Sequence, residues 1–244
     1  MVPLPADNGY QLAREQLETI ACADADLVLL ANPNNPTGRY CDAGTLRSAL
    51  ATLPDTSRAW IDETYVDFVA GGASLEAFAQ SRPNVVVGKS MSKAYGLSGL
   101  RLGYLAGSPS IIRPLRERRR PWPVSLPADN AAVAALASAE YYSSRYAETA
   151  SLRDGLETRL AKIPGVAVVP GTANFVLCLL ESDWPDAATM AHWCRRDGVF
   201  VRYFPAASPP LRQRGIRIAV RTDEENDRIA AAVGRALADA RGST

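Results

Sequence analysis

The residues able to do chemistry in this sequence sit where its apolar runs stop. Lys93 follows the run Val85-Val-Val87 by way of Ser90 and Ser92, and Tyr95, Gly96 and Gly99 come next. A lysine in a loop is ordinarily a solvated cation. An amine held among hydroxyls and glycines can instead add to a carbonyl group. Asp62 and Tyr65 stand at and just beyond the end of Arg58-Ala-Trp-Ile-Asp62, Asn35 lies in Asn32-Pro-Asn-Asn-Pro-Thr-Gly38, and Arg101 falls near the start of Leu100 to Ala106. Taken singly, Asn35 reads as a turn residue and Ser90 and Ser92 as strand-end caps. Asp62 is harder to read that way, because a carboxylate closing a buried apolar strand is costly unless it is paired.

Together these types match what a pyridoxal phosphate site requires. Such a site needs a lysine to form a Schiff base with the aldehyde, and a carboxylate to keep the pyridine nitrogen protonated. It also needs hydroxyls and an arginine on the phosphate, and donors to the ring's phenolate oxygen. Lys93, Asp62, Ser90 with Ser92 and Arg101, and Asn35 with Tyr65 can fill those roles in turn.

The elements that must position them follow from the hydrophobic pattern. Leu27 to Ala31, Arg58 to Asp62 and Val85 to Val87 read as strands of a buried parallel sheet, and Leu100 to Ala106 as a further strand. Helices are expected from Tyr10 to Ile20 and from Asp42, as N-cap, to about Leu53, with a helical turn at Leu75 to Gln80. This alternation predicts an α/β fold with a mostly parallel sheet, in which the loops after the strands line one crevice. Asn130 to about Leu160 reads as one long alanine-rich helical stretch, continuous or interrupted. Beyond it, strands at Val166–Val169, Asn174–Leu180, Val199–Phe204 and Gly215–Val220, with helices at Ala187–Asp197 and Thr222–Ala240, describe a smaller α+β domain. The expected division is 1–128 for a partial large domain, 129–160 for a helical bridge and 161–244 for the small domain.

Composition narrows the function class. Lysine plus arginine is 27 against 26 acids, a net charge of +1, so nothing points to nucleic acid or an anionic membrane as partner. Any bound anion must be held by locally placed residues, and the arginines from Arg116 to Arg120 read as a solvated helix end. The cysteines Cys22, Cys41, Cys178 and Cys194 show no metal-ligand spacing, which fits free thiols in a reducing cytoplasm. One histidine, His192, leaves no histidine-based zinc site and makes a Ser-His-Asp triad improbable.

In order and spacing, Asn32-Pro-Asn-Asn-Pro-Thr-Gly38, Asp62-Glu-Thr-Tyr65, Ser90-Met-Ser-Lys93 and Gly99-Leu-Arg-Leu-Gly-Tyr104 resemble the fold type I, class I/II aminotransferases, and within them the histidinol-phosphate aminotransferase branch. Arg120-Pro-Trp-Pro-Val124, Ala173-Asn-Phe175 and Ile216-Arg-Ile218 extend the resemblance over nearly the whole chain. It implies a pyridoxal-phosphate-dependent transferase fold, with Lys93 as the Schiff-base lysine that also carries the substrate's α-proton. It implies Asp62 on the pyridinium, Asn35 and Tyr65 on the ring oxygen, and Ser90, Ser92 and Arg101 on the phosphate. Arg217 matches the arginine that grips the anionic end of the substrate, and Arg202 is a second candidate anion contact. Glu63 has no role in the family pattern and reads as structural. The resemblance further implies a homodimer, and an exchange between an amino donor and a 2-oxo acid, with histidinol phosphate and 2-oxoglutarate as the leading pair. An aromatic aminotransferase and a threonine-phosphate decarboxylase share the same apparatus. Family members carry a further stretch before the position resembling Met1, so an incomplete large domain with an exposed edge or apolar face is expected, and a non-catalytic remnant is the reading from another class.

Overall fold

The computed structural model describes residues 2, 4–22, 25–207 and 211–242. It divides into two compact units, Met1–Asn35 with Arg39–Ala147 and Pro36–Gly38 with Glu148–Thr244.

The first unit is built on a sheet of β1 (Leu27–Ala31), β2 (Arg58–Asp62), β3 (Val85–Ser90) and β4 (Gly103–Ala106), in that order. β1 pairs β2 and β2 pairs β3 in parallel, and β4 returns antiparallel to β3. The sheet is therefore mostly parallel, as the alternation of elements predicts. Helices α1 (Arg14–Cys22), α2 (Ala43–Ala51) and α3 (Glu76–Ser81) supply the residues that bury one face. Leu46 and Leu50 of α2 and Ala79 of α3 join Val28, Ala59, Ile61, Val85 and Val87 of the sheet in one core. Burying each larger aliphatic chain contributes roughly 1.5–3 kcal/mol before the entropy of ordering it. The Asp42 carboxylate caps α2, accepting from Gly44 N at 2.8 Å and Thr45 N at 3.0 Å.

The other face is open. Period-two alternation in β1 turns Val28 inward and leaves Leu27 53% and Leu29 70% exposed, so this strand is not buried on both sides as its composition suggests. Trp60 of β2 and Leu105 of β4 share that face.

Helices α4 (Pro109–Glu117), α5 (Leu126–Ala137) and α6 (Ala139–Leu160) follow β4. The expected long helix is broken at Ser138, whose hydroxyl donates to Ala134 O at 2.8 Å and whose backbone leaves helical geometry. Met91, Leu102, Ala128 and Ala135 make a second small core in this unit, with Tyr95 and Tyr142 packed edge to face against one another.

The second unit carries an antiparallel sheet ordered β5 (Val166–Val169), β6 (Phe175–Leu180), β8 (Gly215–Ala219), β7 (Arg202–Tyr203). Helices α7 (Ala187–Arg196) and α9 (Asp223–Gly242) close its core with the end of α6, and a short α8 (Leu211–Arg214) leads into β8. The strand expected over Val199–Phe204 shrinks to its last part. Gly198 ends α7 in the left-handed region, and Val199 N still bonds back to Cys194 O, so the chain is not free to pair until Arg202. Among the described residues no helix is long and apolar enough to cross a membrane.

Candidate active site

Three segments of the first unit meet at the carboxyl ends of β2 and β3. Asp62, Thr64, Ser90, Ser92 and Arg101 line a cleft of about 370 Å³, within the range of small-molecule sites. Trp60, Gly88, Lys89 and the stretch Leu102–Leu105 complete it.

Its shape depends on two glycines. A Cβ on Gly103 would lie 2.5 Å from the Lys89 carbonyl oxygen, so only glycine lets β4 approach the end of β3 so closely. A Cβ on Gly88 would lie 3.1 Å from Trp60 Nε1, filling the space beside the indole. The cleft is thus bordered by bare backbone and an aromatic plane, with polar groups around them.

Each polar group is held locally. β2 ends at Asp62, and the turn that follows returns both the backbone N–H and the hydroxyl of Thr64 to the Asp62 carboxylate, at 2.9 and 2.5 Å. Alternation along β2 puts Asp62 and Trp60 on the same open face. Asp62 is therefore exposed, and the cost of burying a carboxylate does not apply to it here. Ser90 is the last residue of β3, and its hydroxyl accepts from Ser92 N at 3.3 Å. The strand expected from Leu100 begins only at Gly103. Ser98–Leu100 form a 3₁₀ turn, and Arg101 takes a left-handed conformation at φ 55°, donating to Ser98 O at 2.9 Å. Arg101 is thereby presented from a tight loop rather than from a strand.

The remaining candidates lie outside the lining of this cleft. Lys93 is exposed on the turn after β3, next in sequence to Ser92. Tyr65 is buried at the head of the 3₁₀ turn Val66–Phe68, and Asn35 is exposed in its loop. That loop is clasped by Asn32, whose buried amide donates to Cys41 O at 2.9 Å and accepts from Cys41 N at 2.8 Å. In the second unit, Arg217 of β8 stands directly opposite Arg202 of β7 in the ladder, and its guanidinium lies 4.8 Å from the Phe175 ring centre. Directly opposed residues share a face, and like charges so placed repel.

Thr64, Trp60 and Lys89 did not come forward from the sequence. Thr64 had a signal, since Asp-x-Thr after a strand favours a turn that closes on its own aspartate. Glu63, beside Asp62, is buried and structural, as its place outside the family pattern implies. Its carboxylate accepts from Leu75 N at 2.7 Å and Ser74 Oγ at 2.5 Å. Burial pushes its pKa up, and those hydrogen bonds and Lys89 partly offset the shift.

The donor set fits the group expected from the sequence. A carboxylate, hydroxyls and a guanidinium surround the cleft, with space beside Gly88 and an aromatic wall for a planar ring.

The model of the family described as aminotransferase class I and II matches residues 1–233. The chain is similar to histidinol-phosphate aminotransferase 2 of Ralstonia nicotianae, at 35% identity over 98% of this chain and 63% of that protein. It is also similar to an aromatic amino acid aminotransferase of Cutibacterium acnes, at 32% identity over 96% of this chain and 65% of that one. Its fold superposes on the crystal structure of histidinol-phosphate aminotransferase from Sinorhizobium meliloti in complex with pyridoxal-5'-phosphate, with TM-score 0.80 and 30% identity, over 92% of this chain and 60% of that chain. The chain therefore spans less than two thirds of the length of each of these proteins.

Proposed function

The chain belongs to the class I and II aminotransferases, and on that premise we propose that it is part of a pyridoxal-phosphate-dependent enzyme that moves an amino group between an amino donor and a 2-oxo acid. The observation that carries the reading is the cleft in which Asp62, Ser90, Ser92 and Arg101 come together from three segments over glycine backbone.

When bound, the cofactor supplies an aldehyde that takes up the amino group and a protonated ring that accepts electrons released at the substrate α-carbon. In this reading the Asp62 carboxylate, oriented by Thr64, keeps the ring nitrogen protonated. Ser90, Ser92 and Arg101 hold the phosphate, and Asn35 and Tyr65 hold the ring oxygen. The Lys93 amine anchors the cofactor and moves the proton at the substrate α-carbon. Arg217, with Arg202 beside it, grips the anionic end of the substrate by the fork geometry of guanidinium. The division into a partial cofactor domain (1–128), a helical bridge (129–160) and a small domain (161–244) belongs to the same reading.

Histidinol phosphate with 2-oxoglutarate is the proposed substrate pair, and the names of the relatives support the histidinol phosphate side of it. An aromatic amino donor is the second reading, supported by the Cutibacterium acnes relative. A homodimer is proposed, and the exposed apolar side chains Trp122, Leu126, Val133 and Leu136 supply a surface for it. The free state of the four thiols supports a cytoplasmic location.

The test is a borohydride trap. The chain is incubated with pyridoxal phosphate, reduced, and digested for peptide mapping. A stoichiometric pyridoxyl label on Lys93, lost in Lys93→Ala, is the expected result, followed by amino transfer from histidinol phosphate to 2-oxoglutarate. Label spread over surface lysines, or a specific label with no transfer to any 2-oxo acid, sinks the proposal.

A further inference from the structure

Lys89 immediately precedes the candidate cofactor residues, yet nothing above gives it a role. By alternation along β3 its side chain leaves the strand on the opposite face from Ser90. The side chain is 9% exposed, and its amine stands 3.6 Å from Asp67 Oδ1, 3.6 Å from Glu76 Oε1 and 4.0 Å from Glu63 Oε2. One cation therefore faces three carboxylates, the most deeply buried of which, Glu63, is 1% exposed.

Two of the three acids belong to the segment that carries Asp62 and Thr64: Glu63 and Asp67 bracket Tyr65, and the third, Glu76, opens α3. Glu63 also bonds Leu75 N and Ser74 Oγ, tying the segment after β2 to the start of α3. Glu76 accepts from Tyr104 OH at 2.7 Å, and Tyr104 lies opposite Lys89 in the β3–β4 ladder. The Lys89 ammonium thus stands where the segment bearing Asp62, Thr64 and Tyr65, the strand bearing Ser90, and the strand after Arg101 are joined behind the cleft.

We propose that Lys89 is a positioning residue of the cofactor cleft, holding the 62–68 segment against β3 by neutralising the carboxylates of Glu63, Asp67 and Glu76. Without it, half-buried like charges repel one another and draw water, and the segment carrying Asp62 moves away from Ser90 and Ser92. Loss of a supporting partner behind a binding group costs about 10–100-fold in affinity. The effect on cofactor binding rests on the functional reading above; the effect on the segment does not.

Two readouts separate them: the dissociation constant for pyridoxal phosphate by absorbance titration, and deuterium uptake of the cofactor-free protein over 62–68 and 89–93, with α2 as internal reference. Lys89→Met is expected to bind the cofactor about 10–100-fold more weakly and to exchange faster over 62–68, with α2 unchanged. Lys89→Arg, which keeps the charge, is expected to recover most of both. If Lys89→Met does not fold, the combination Lys89→Met, Asp67→Asn, Glu76→Gln removes the repulsion together with the tether. With the repulsion gone it is expected to fold. Exchange over 62–68 matching wild type in Lys89→Met, or a triple variant that also fails to fold, overturns the proposal. If the wild type itself takes up no cofactor, the functional reading fails, and the exchange measurement still decides the positioning.

Discussion

Gly103 offers the sharpest test of the cleft's geometry. Replacing it with alanine places a methyl carbon 2.5 Å from the Lys89 carbonyl oxygen and 3.3 Å from Ser90 Cα. A carbon and a carbonyl oxygen ordinarily meet no closer than about 3.3 Å, so β4 must withdraw by roughly 0.8 Å or the end of β3 must yield. Both neighbours are backbone atoms, so no side-chain rotation relieves the clash. Overpacking of this kind costs about 1–3 kcal/mol, and each ladder hydrogen bond it breaks adds about 1 kcal/mol. The expected loss for Gly103→Ala is therefore about 2–4 kcal/mol. Gly99 in the same motif is the control, since a Cβ there meets nothing within 4 Å and its φ is not left-handed. Gly99→Ala should stay within about 0.5 kcal/mol of wild type. Urea unfolding gives the comparison, with hydrogen exchange of β3 and β4 peptides to assign the transition to the first unit, because tryptophans occur in both units. For a urea slope of about 1–3 kcal/mol per molar, a 3 kcal/mol loss lowers the midpoint by about 1–3 M. Because Gly103 pairs Ser90 in the ladder, cofactor affinity should fall as well. Equal midpoints for the two alanine variants would refute the reasoning.

The thiols divide by burial. Burial pushes Cys178 up to about 12 and Cys41 and Cys194 up to about 11, each helped by a nearby carboxylate, so thiolate is scarce there at pH 8. Iodoacetamide at that pH should label exposed Cys22 and reach the other three only in denaturant; fast native labelling of Cys178 would contradict this. Asp186 caps α7, and the Thr189 N–H it accepts, at 2.8 Å, holds its carboxyl below the usual range. That stabilisation is complete above the ordinary carboxylate pKa and is lost as pH falls through the lowered native one. Asp186→Ala should therefore cost about 1 kcal/mol at pH 7, and the gap to wild type should close on acidification, as urea midpoints at pH 7 and pH 3 would register.

The strands bearing the site were legible because β-branched and apolar runs stop abruptly at Asp62 and after Val87, although β3 runs on through Gly88 and Lys89 to Ser90. Pairing direction was not. Leu100 to Ala106 has the composition of a strand, but the loop from Met91 to Leu102 forms no crossover helix and spends Ser98–Leu100 on a turn and Arg101 on a left-handed step, so the chain returns antiparallel. An open apolar face is expected of an incomplete large domain, but which residues form it was not legible: β1 is apolar on both faces, and the structure shows Leu27 and Leu29 as the ones in the open. The same limit explains Asp62. Its burial was inferred from its neighbours in sequence, whereas alternation gives a strand's last residues opposite faces. Of two adjacent acids there, one must point into the core side and the other away from it. Glu63 is the one enclosed, and its carboxylate is answered within the protein by Leu75, Ser74 and Lys89. Among the described residues the Asp62 carboxylate meets Thr64 from its own turn, and it lines the cleft. An acid pair at a strand end thus separates by geometry into a structural member and a member left available for a ligand, and only the second can be a site residue.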